Sequence, residues 1–342
     1  MAGQTTTLTI EQARQLVGQA LRAAGAGRNA AETTAHALVD AEASGLGSHG
    51  LSRVPQYAGF LKNGRANGNA EPMVTHERAA SVLIDAQNGL AFPACAQAVS
   101  HAITKASVAG ACVAAVTNSH HFGVAAWHLQ PVCAAGMIGL AMGNSPAAMP
   151  VPGGSKALLG TNPLAACFPR AADPGIVIDL SLSEVARGKI MVAAREGKSI
   201  PPGWALDADG QPTTDAKAAL AGSMLPLGSG SGSAKGGMIA LLIELLVTSL
   251  TGANFGAQAD SFFEADGNQP RLAQCFIVID PAGLAGRATY DQRIEAIVEA
   301  MLDDDTVRLP GARRAELRHQ AQNQGLDIAR DLVDKIRSIA GV

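Results

Sequence analysis

The residues best suited to chemistry near neutral pH lie in Gly45-Leu46-Gly47-Ser48-His49-Gly50, followed by Ser52, Arg53 and Tyr57. An imidazole flanked by glycine lets a small molecule approach closely and can exchange a proton with it. Ser48 can bond the ring or relay a proton, and Arg53 offers a forked donor for a carboxylate or phosphate. A loop histidine beside a helix cap is the competing reading of the same string. A second group, Thr117-Asn118-Ser119-His120-His121-Phe122-Gly123, follows an apolar run and precedes a helix expected to begin near Val124. N–H groups at a helix start favour an anion such as a diphosphate. A metal is not expected here, because adjacent residues on a strand point apart and no third ligand is near.

Weaker candidates follow along the chain. Asn144, Ser145, Thr161 and Asn162 sit in turn-forming clusters that read equally as strand connections or as a cleft wall. Asp179, inside Ile178-Asp179-Leu180, can hold a ribose hydroxyl, orient a histidine or cap the helix that carries Arg187 and Gly188. Lys235 follows the Gly/Ser run 228–233 and could neutralise a phosphate, although the spacing is not that of a Walker A loop. Arg308, Arg313 and Arg314 surround the Pro310-Gly311 turn and suit a phosphomonoester, or simply a solvated basic helix start. No GxGxxG follows a strand, which leaves a Rossmann site unsupported, and no GxSxG elbow supports a hydrolase.

Hydrophobic spacing supplies the elements that must position these groups. Ile10, Ala13, Leu16, Val17, Ala20 and Leu21 mark an amphipathic helix with a Thr9/Gln12 capping box. A second helix should open at Asn29 and run to about Asp40, and a third, capped by Ser52, should end near Gly64. Apolar runs 81–86, 112–117, 137–142, 176–180 and 276–280 read as strands, and 238–250 as a buried core helix. Helices are expected from about 290 to 302 and, twice more, after Pro310-Gly311. This divides the chain into an N-terminal helical segment 1–75, a larger α/β region 76–285 and a C-terminal helical segment 286–342.

A length of 342 residues exceeds what one hydrophobic core usually serves, and 47% hydrophobic against 16% charged residues favours folding and buried subunit contacts. The net charge of −3 argues against a nucleic-acid partner. The first residues lack the basic and apolar regions of a secretory signal, so a cytoplasmic location is expected. Five scattered cysteines suggest neither disulfides nor zinc, and the most apolar window is interrupted by Glu244 and is too short to span a membrane.

Taken in order, SHGLSRVPQY (48–57), NSHHFG (118–123), GNSP through GTNPLA (143–165), DLSLSEVARGKI (179–190), PPGWALDADGQPTTD (201–215) and KGGMIALLIELL (235–246) resemble the type 2 malate/L-lactate dehydrogenase family. ASGLGSHGLSRVPQY and ELLVTSLTGANFG look most like its Δ1-piperideine-2-carboxylate/Δ1-pyrroline-2-carboxylate reductases. The resemblance implies a mixed α/β (α+β) fold of the L-sulfolactate dehydrogenase kind. Its NAD(P)-binding domain is not a Rossmann fold but a mixed, largely antiparallel sheet, with helical segments at both ends of the chain. It implies Ser48 and His49 as the proton-delivering pair. Cofactor contacts would come from Arg53, His121, Phe122, Gly123, Ile178, Asp179, Leu180, Lys235, Arg308 and Arg313, and substrate contacts from Thr161, Arg187 and Gly188. Ala312, where many members carry an acid, favours NADPH, with NADH as the alternative. The implied activity is reduction of cyclic ketimine carboxylates by a homodimer; the alternatives are a 2-hydroxy acid dehydrogenase and a non-catalytic binder of small molecules.

Overall fold

The computed structural model describes residues 4–171 and 174–342. After β1 (Thr5–Leu8) come α1 (Ile10–Ala23), α2 (Arg28–Ala43) and α3 (Val54–Lys62). Thr9 caps α1 in a full capping box with Gln12, as its spacing predicts. The other two starts differ from expectation: Gly27, not Asn29, precedes α2, and Ser52 Oγ donates to the Gly47 carbonyl at 2.6 Å instead of capping α3. Ser52 thereby folds the 47–53 loop onto itself.

The middle of the chain supplies β2 (Met73–Arg78), β3 (Ser81–Asp85), α4 (Ala91–Ala109), β4 (Ala111–Ser119), α5 (Gln130–Ala134), β5 (Ile138–Gly143), β6 (Leu164–Phe168) and β7 (Ile176–Leu180). There follow α6 (Arg187–Glu196), the short β8 (Ala205–Leu206), β9 (Pro212–Thr213), α7 (Ala216–Ala221) and β10 (Ser223–Met224), then α8 (Lys235–Thr251) and β11 (Leu272–Ile279). Among the described residues seven strands form one sheet in the order β2-β3-β4-β11-β5-β6-β7. Only β3 and β4, linked through α4, run parallel; the other neighbours are antiparallel. The fold is therefore mixed α/β around a largely antiparallel sheet, as the resemblance implies. Strands β2 and β6 were not expected from the sequence. The β2 residues are mostly exposed, which gives little alternation to read.

The chain ends with α9 (Arg287–Leu302), α10 (Ala312–Gln324), β12 (Leu326–Ala329) and α11 (Arg330–Ala340). β12 pairs antiparallel with β1, and Val333 and Ile336 of α11 join Val17, Leu21 and Leu38 in one core cluster. Helix α9 instead packs Ile294 and Val298 on Ile176 and is held to the sheet by a two-pronged Arg170–Glu295 pair at 2.9 and 2.7 Å. One sheet face carries α4 and the other α8.

Helix α8 departs from the fully buried helix that its composition predicts. Ala240, Ile243 and Val247 are buried, but Met238, Leu242 and Leu245 are 54%, 62% and 57% exposed. The interruption at Glu244 explains what the inner face does. Its buried carboxylate accepts from Asn144 Nδ2 and Gly256 N on one oxygen, both at 2.9 Å, and from Asn162 Nδ2 (2.8 Å) and Gly160 N (3.4 Å) on the other. Three loops, at 144, 160–162 and 256, are thus tied to one side chain. Glu244→Ala removes the acceptor of the Gly160 and Gly256 N–H groups and one of the two acceptors of each of Asn144 and Asn162, losses of about 1–3 kcal/mol each that are not additive. We expect urea denaturation to show a loss of about 4 kcal/mol; a loss below about 1 kcal/mol would remove Glu244 from this organising role.

Candidate active site

The loop that bears Ser48 and His49 is held from below by Glu42 on α2, whose Oε2 accepts the Leu51 N–H at 2.8 Å. A Cβ at Gly50 would lie 2.2 Å from that oxygen, so the glycine is required by the close approach. Burial pushes the Glu42 carboxyl up, with the Leu51 N–H working against it. Above this support Ser48 Oγ lies 3.1 Å from His49 Nδ1, which leaves Nε2 to face a ligand. The His49 ring stacks on that of His121 at 5.7 Å, and Tyr57 Oη is 2.6 Å from His121 Nδ1. Strand β4 and helix α3 thus bring the two histidine strings together.

His49 is held near a pKa of about 4 by burial first, then by the charges of Arg53 and Arg314. His121 is lowered by burial, Arg53 and its histidine neighbours. His120, fully buried between Phe60 and Phe262, is lowered to about 3, and His128, among Phe92, Phe122 and Trp127, to about 4. His120 offers Nδ1 to the His121 N–H at 2.9 Å and so shapes the turn before the site. The expected helix at Val124 is a 3₁₀ turn, Ala125–Leu129, running into the five-residue α5, so it has no helix start able to gather a diphosphate.

Arg53 donates Nε to the Ser48 carbonyl at 2.7 Å and Nη1 to Gln56 at 2.8 Å. Arg187, at the first turn of α6, donates Nη2 to the Leu220 carbonyl at 3.2 Å. Both guanidinium groups face the ring of Phe263, at 5.9 and 5.3 Å from its centre. Burial lowers both pKa values, and among the described residues neither forms a salt bridge. Two partly desolvated cations without a carboxylate call for an anionic ligand. Neither Phe263 nor its neighbour Phe262 was singled out from the sequence, where two adjacent phenylalanines in a polar stretch carry no signal.

Next to this cluster a cleft of about 630 Å³ runs between α2, α10 and the β6–β7 edge. Its wall includes Val124, Val177, Arg170, Gly311, Arg314 and Arg318. Gly311 has φ of 93°, a Cβ there would come within 2.9 Å of Val177 Cβ, and the Val177 N–H donates to the Pro310 carbonyl at 3.0 Å, so the turn lies directly on β7. Arg314 pairs with Asp179 at 2.8 Å; burial pushes the Asp179 carboxyl up, against the pull of Arg314. Arg318 Nε is enclosed without an acceptor. A cationic, partly enclosed cleft of this size fits a dinucleotide.

The remaining expected residues are dispersed. Ile178 and Leu180 point outward on β7, flanking inward Asp179. Arg308 and Arg313 are exposed at the Gly311 turn, and Gly188 is exposed on α6. Lys235, the exposed first residue of α8, makes none of the contacts that build the histidine cluster. Thr161 is fixed by its backbone, with N on Ser145 Oγ at 3.0 Å and O receiving Leu182 N at 2.9 Å. Asn144 and Asn162 are not cleft wall: both are buried and turned onto Glu244.

A histidine buried neutral resists protonation, so the unfolded chain binds more protons than the native one below the ordinary value near 6.5. Stability is therefore full above about pH 6.5 and falls progressively toward pH 4, the value of His49 and His128. Thermal melts across pH 7.5 to 4 should show this decline, and His128→Gln should flatten it; a Tm that is level across the window contradicts neutral burial.

Comparison with known proteins places these features in a family. The malate/L-lactate dehydrogenase family profile matches residues 8–337. The chain is 45% identical over 334 residues to the (2R)-3-sulfolactate dehydrogenase (NADP(+)) of Chromohalobacter salexigens, covering 97% of this chain and 98% of that protein. The crystal structure of Δ1-piperideine-2-carboxylate reductase from Pseudomonas syringae superposes with a TM-score of 0.91 at 36% identity, covering 98% of this chain and 100% of the other. Sulfolactate dehydrogenase from Methanocaldococcus jannaschii gives 0.88 at 30% identity, with 98% of each chain covered. With a family match over almost its full length and a histidine site built as described, the chain belongs to the malate/L-lactate dehydrogenase family of oxidoreductases.

Proposed function

We propose that the chain is an NADPH-dependent dehydrogenase of small 2-hydroxy acids that carry a second anionic group, of the 3-sulfolactate or malate kind. The observation that carries this reading is the pair Arg53 and Arg187, two guanidinium groups without carboxylate partners that face one phenyl ring, Arg53 being near enough for its charge to act on His49. The likeness to a sulfolactate dehydrogenase at 45% identity supports it. The cyclic ketimine carboxylates expected from the sequence carry one anion and leave one of these cations unmatched. They remain the second reading, favoured by the likeness to the piperideine-2-carboxylate reductase structure.

The dinucleotide would lie in the cleft that Val124, next in sequence to His121, Phe122 and Gly123, helps to line, with Arg314 in its wall paired to Asp179 and Arg308 and Arg313 exposed nearby for a phosphomonoester. Ala312, neutral beside these arginines, adds no charge of its own to repel a 2′-phosphate. When bound, the nicotinamide gives or takes the hydride at the substrate's second carbon. In the oxidative direction neutral His49 accepts the hydroxyl proton, and Ser48 fixes the ring through Nδ1. In the reductive direction a dianion resting on Arg53 offsets the charge that depresses the His49 pKa, and so favours the protonated ring that donation needs. Arg53 ties substrate binding to the same loop by its bond to the Ser48 carbonyl.

Initial rates of NADPH oxidation with 3-sulfopyruvate, oxaloacetate, pyruvate and Δ1-piperideine-2-carboxylate test the reading. We expect kcat/KM at least tenfold higher for the dianions than for pyruvate or the imine, and a loss of about 100-fold in kcat for His49→Ala. A preference for the imine overturns the reading.

We also propose a cytoplasmic homodimer. Among the described residues no helix is long and apolar enough to cross a membrane. Met238, Leu242 and Leu245 form one exposed apolar face of α8, and Leu227 beside it is 43% exposed. A second copy would cover such a stripe. Leu242→Glu with Leu245→Glu should halve the mass measured by light scattering; a monomeric parent protein would refute the pairing.

A further inference from the structure

Phe263 belongs to a loop, 260–268, that is fixed by an unusual internal clip. Arg65, buried at the end of the α3 segment, donates to the carbonyls of Asp260, Ser261, Glu264, Asp266 and Asn268 at 2.8 to 3.3 Å. Its guanidinium lies 4.8 Å from the Phe60 ring centre. Asn63 donates to the Ala265 carbonyl and Gln56 to that of Phe262, so α3 grips the loop along its length. Asp260 and Asn268 close the loop base through two backbone-to-side-chain bonds at 3.0 and 2.7 Å. Phe262 packs on His120 and His121 at 5.1 and 5.4 Å. The result is a rigid presentation of two adjacent rings, one to the histidines and one to the arginines.

Phe263 is 47% exposed, too open for a core residue, and makes its placed contacts with Arg53 and Arg187. Arg53 is anchored through two of its nitrogens, whereas Arg187 is anchored through one. The less constrained guanidinium therefore depends on the ring for its position. Resting on the proposal that the substrate is a dianionic 2-hydroxy or 2-oxo acid, we infer that Phe263 is the specificity-determining residue. Its ring, 5.9 and 5.3 Å from the two guanidinium groups, is the contact they share, and by keeping Arg187 near Arg53 it limits the enzyme to short dianions. Removing the ring frees Arg187 to move away from Arg53 and opens room for a longer chain.

The test compares the wild-type enzyme with Phe263→Ala and Phe263→Leu. NADPH-dependent reduction of oxaloacetate and 2-oxoglutarate is measured alongside calorimetric binding of succinate and glutarate. Wild type should prefer the four-carbon member in both assays. In Phe263→Ala that preference in kcat/KM should fall at least tenfold, with a parallel fall in the ratio of the two dissociation constants, and Phe263→Leu should lie between. NADPH affinity and Tm should stay at wild-type values, because the ring is exposed and lies outside the core. A ratio within twofold of wild type in Phe263→Ala overturns the inference while leaving the dianion reading intact. A wild-type enzyme that takes neither dianion but reduces Δ1-piperideine-2-carboxylate overturns the reading and the inference with it.

Discussion

Charge held away from water must be answered by other charge or by hydrogen bonds, and this protein meets the requirement in two opposite ways. Glu244 is answered completely within the fold: two amide side chains and two backbone N–H groups surround its carboxylate, and no cation among the described residues pairs with it. Arg65 is the mirror case, a cation answered by carbonyl oxygens alone. Together they lock the loops at the ends of the central strands and the loop that roofs the histidines. Arg53 and Arg187 are answered only in part, and that difference sets them apart from the fully bonded charges of the frame.

The same contrast explains the histidines. His128 and His120 are buried among aromatic rings and serve the architecture, whereas His49 is only partly buried and holds Ser48 on Nδ1. A chain with several histidines clustered in sequence thus assigns them different tasks through burial.

Much of the frame was legible in the residues. The capping box at Thr9, the strands around 113, 140, 178 and 276, and the helix after 287 follow from periodicity and local caps, which depend on neighbours a few positions away. Ser48, His49 and Arg53 were legible because a small string places them side by side. Glu244, Arg65 and Phe263 were not: their partners lie 82, 195 and 210 positions away or similar distances, and nothing local marks them. Register decided other cases. Adjacent residues on a helix point about 100° apart, so Arg314 reaches Asp179 while Arg313 faces solvent. Composition also misjudged α8, since an apolar sequence cannot show which of its faces lacks a neighbour within one chain.

The pairing of β1 with β12 has a consequence for biosynthesis. Helices α1, α2 and α3 share their core with α11, so residues 10–62 cannot bury that surface until residues 326–340 have also been made. The strands β2 to β11 meet no such delay, because their partners are all made before residue 280. Synthesis order therefore favours a sheet that assembles first and a helical layer that closes last, bringing the Ser48–His49 loop onto the turn that follows β4.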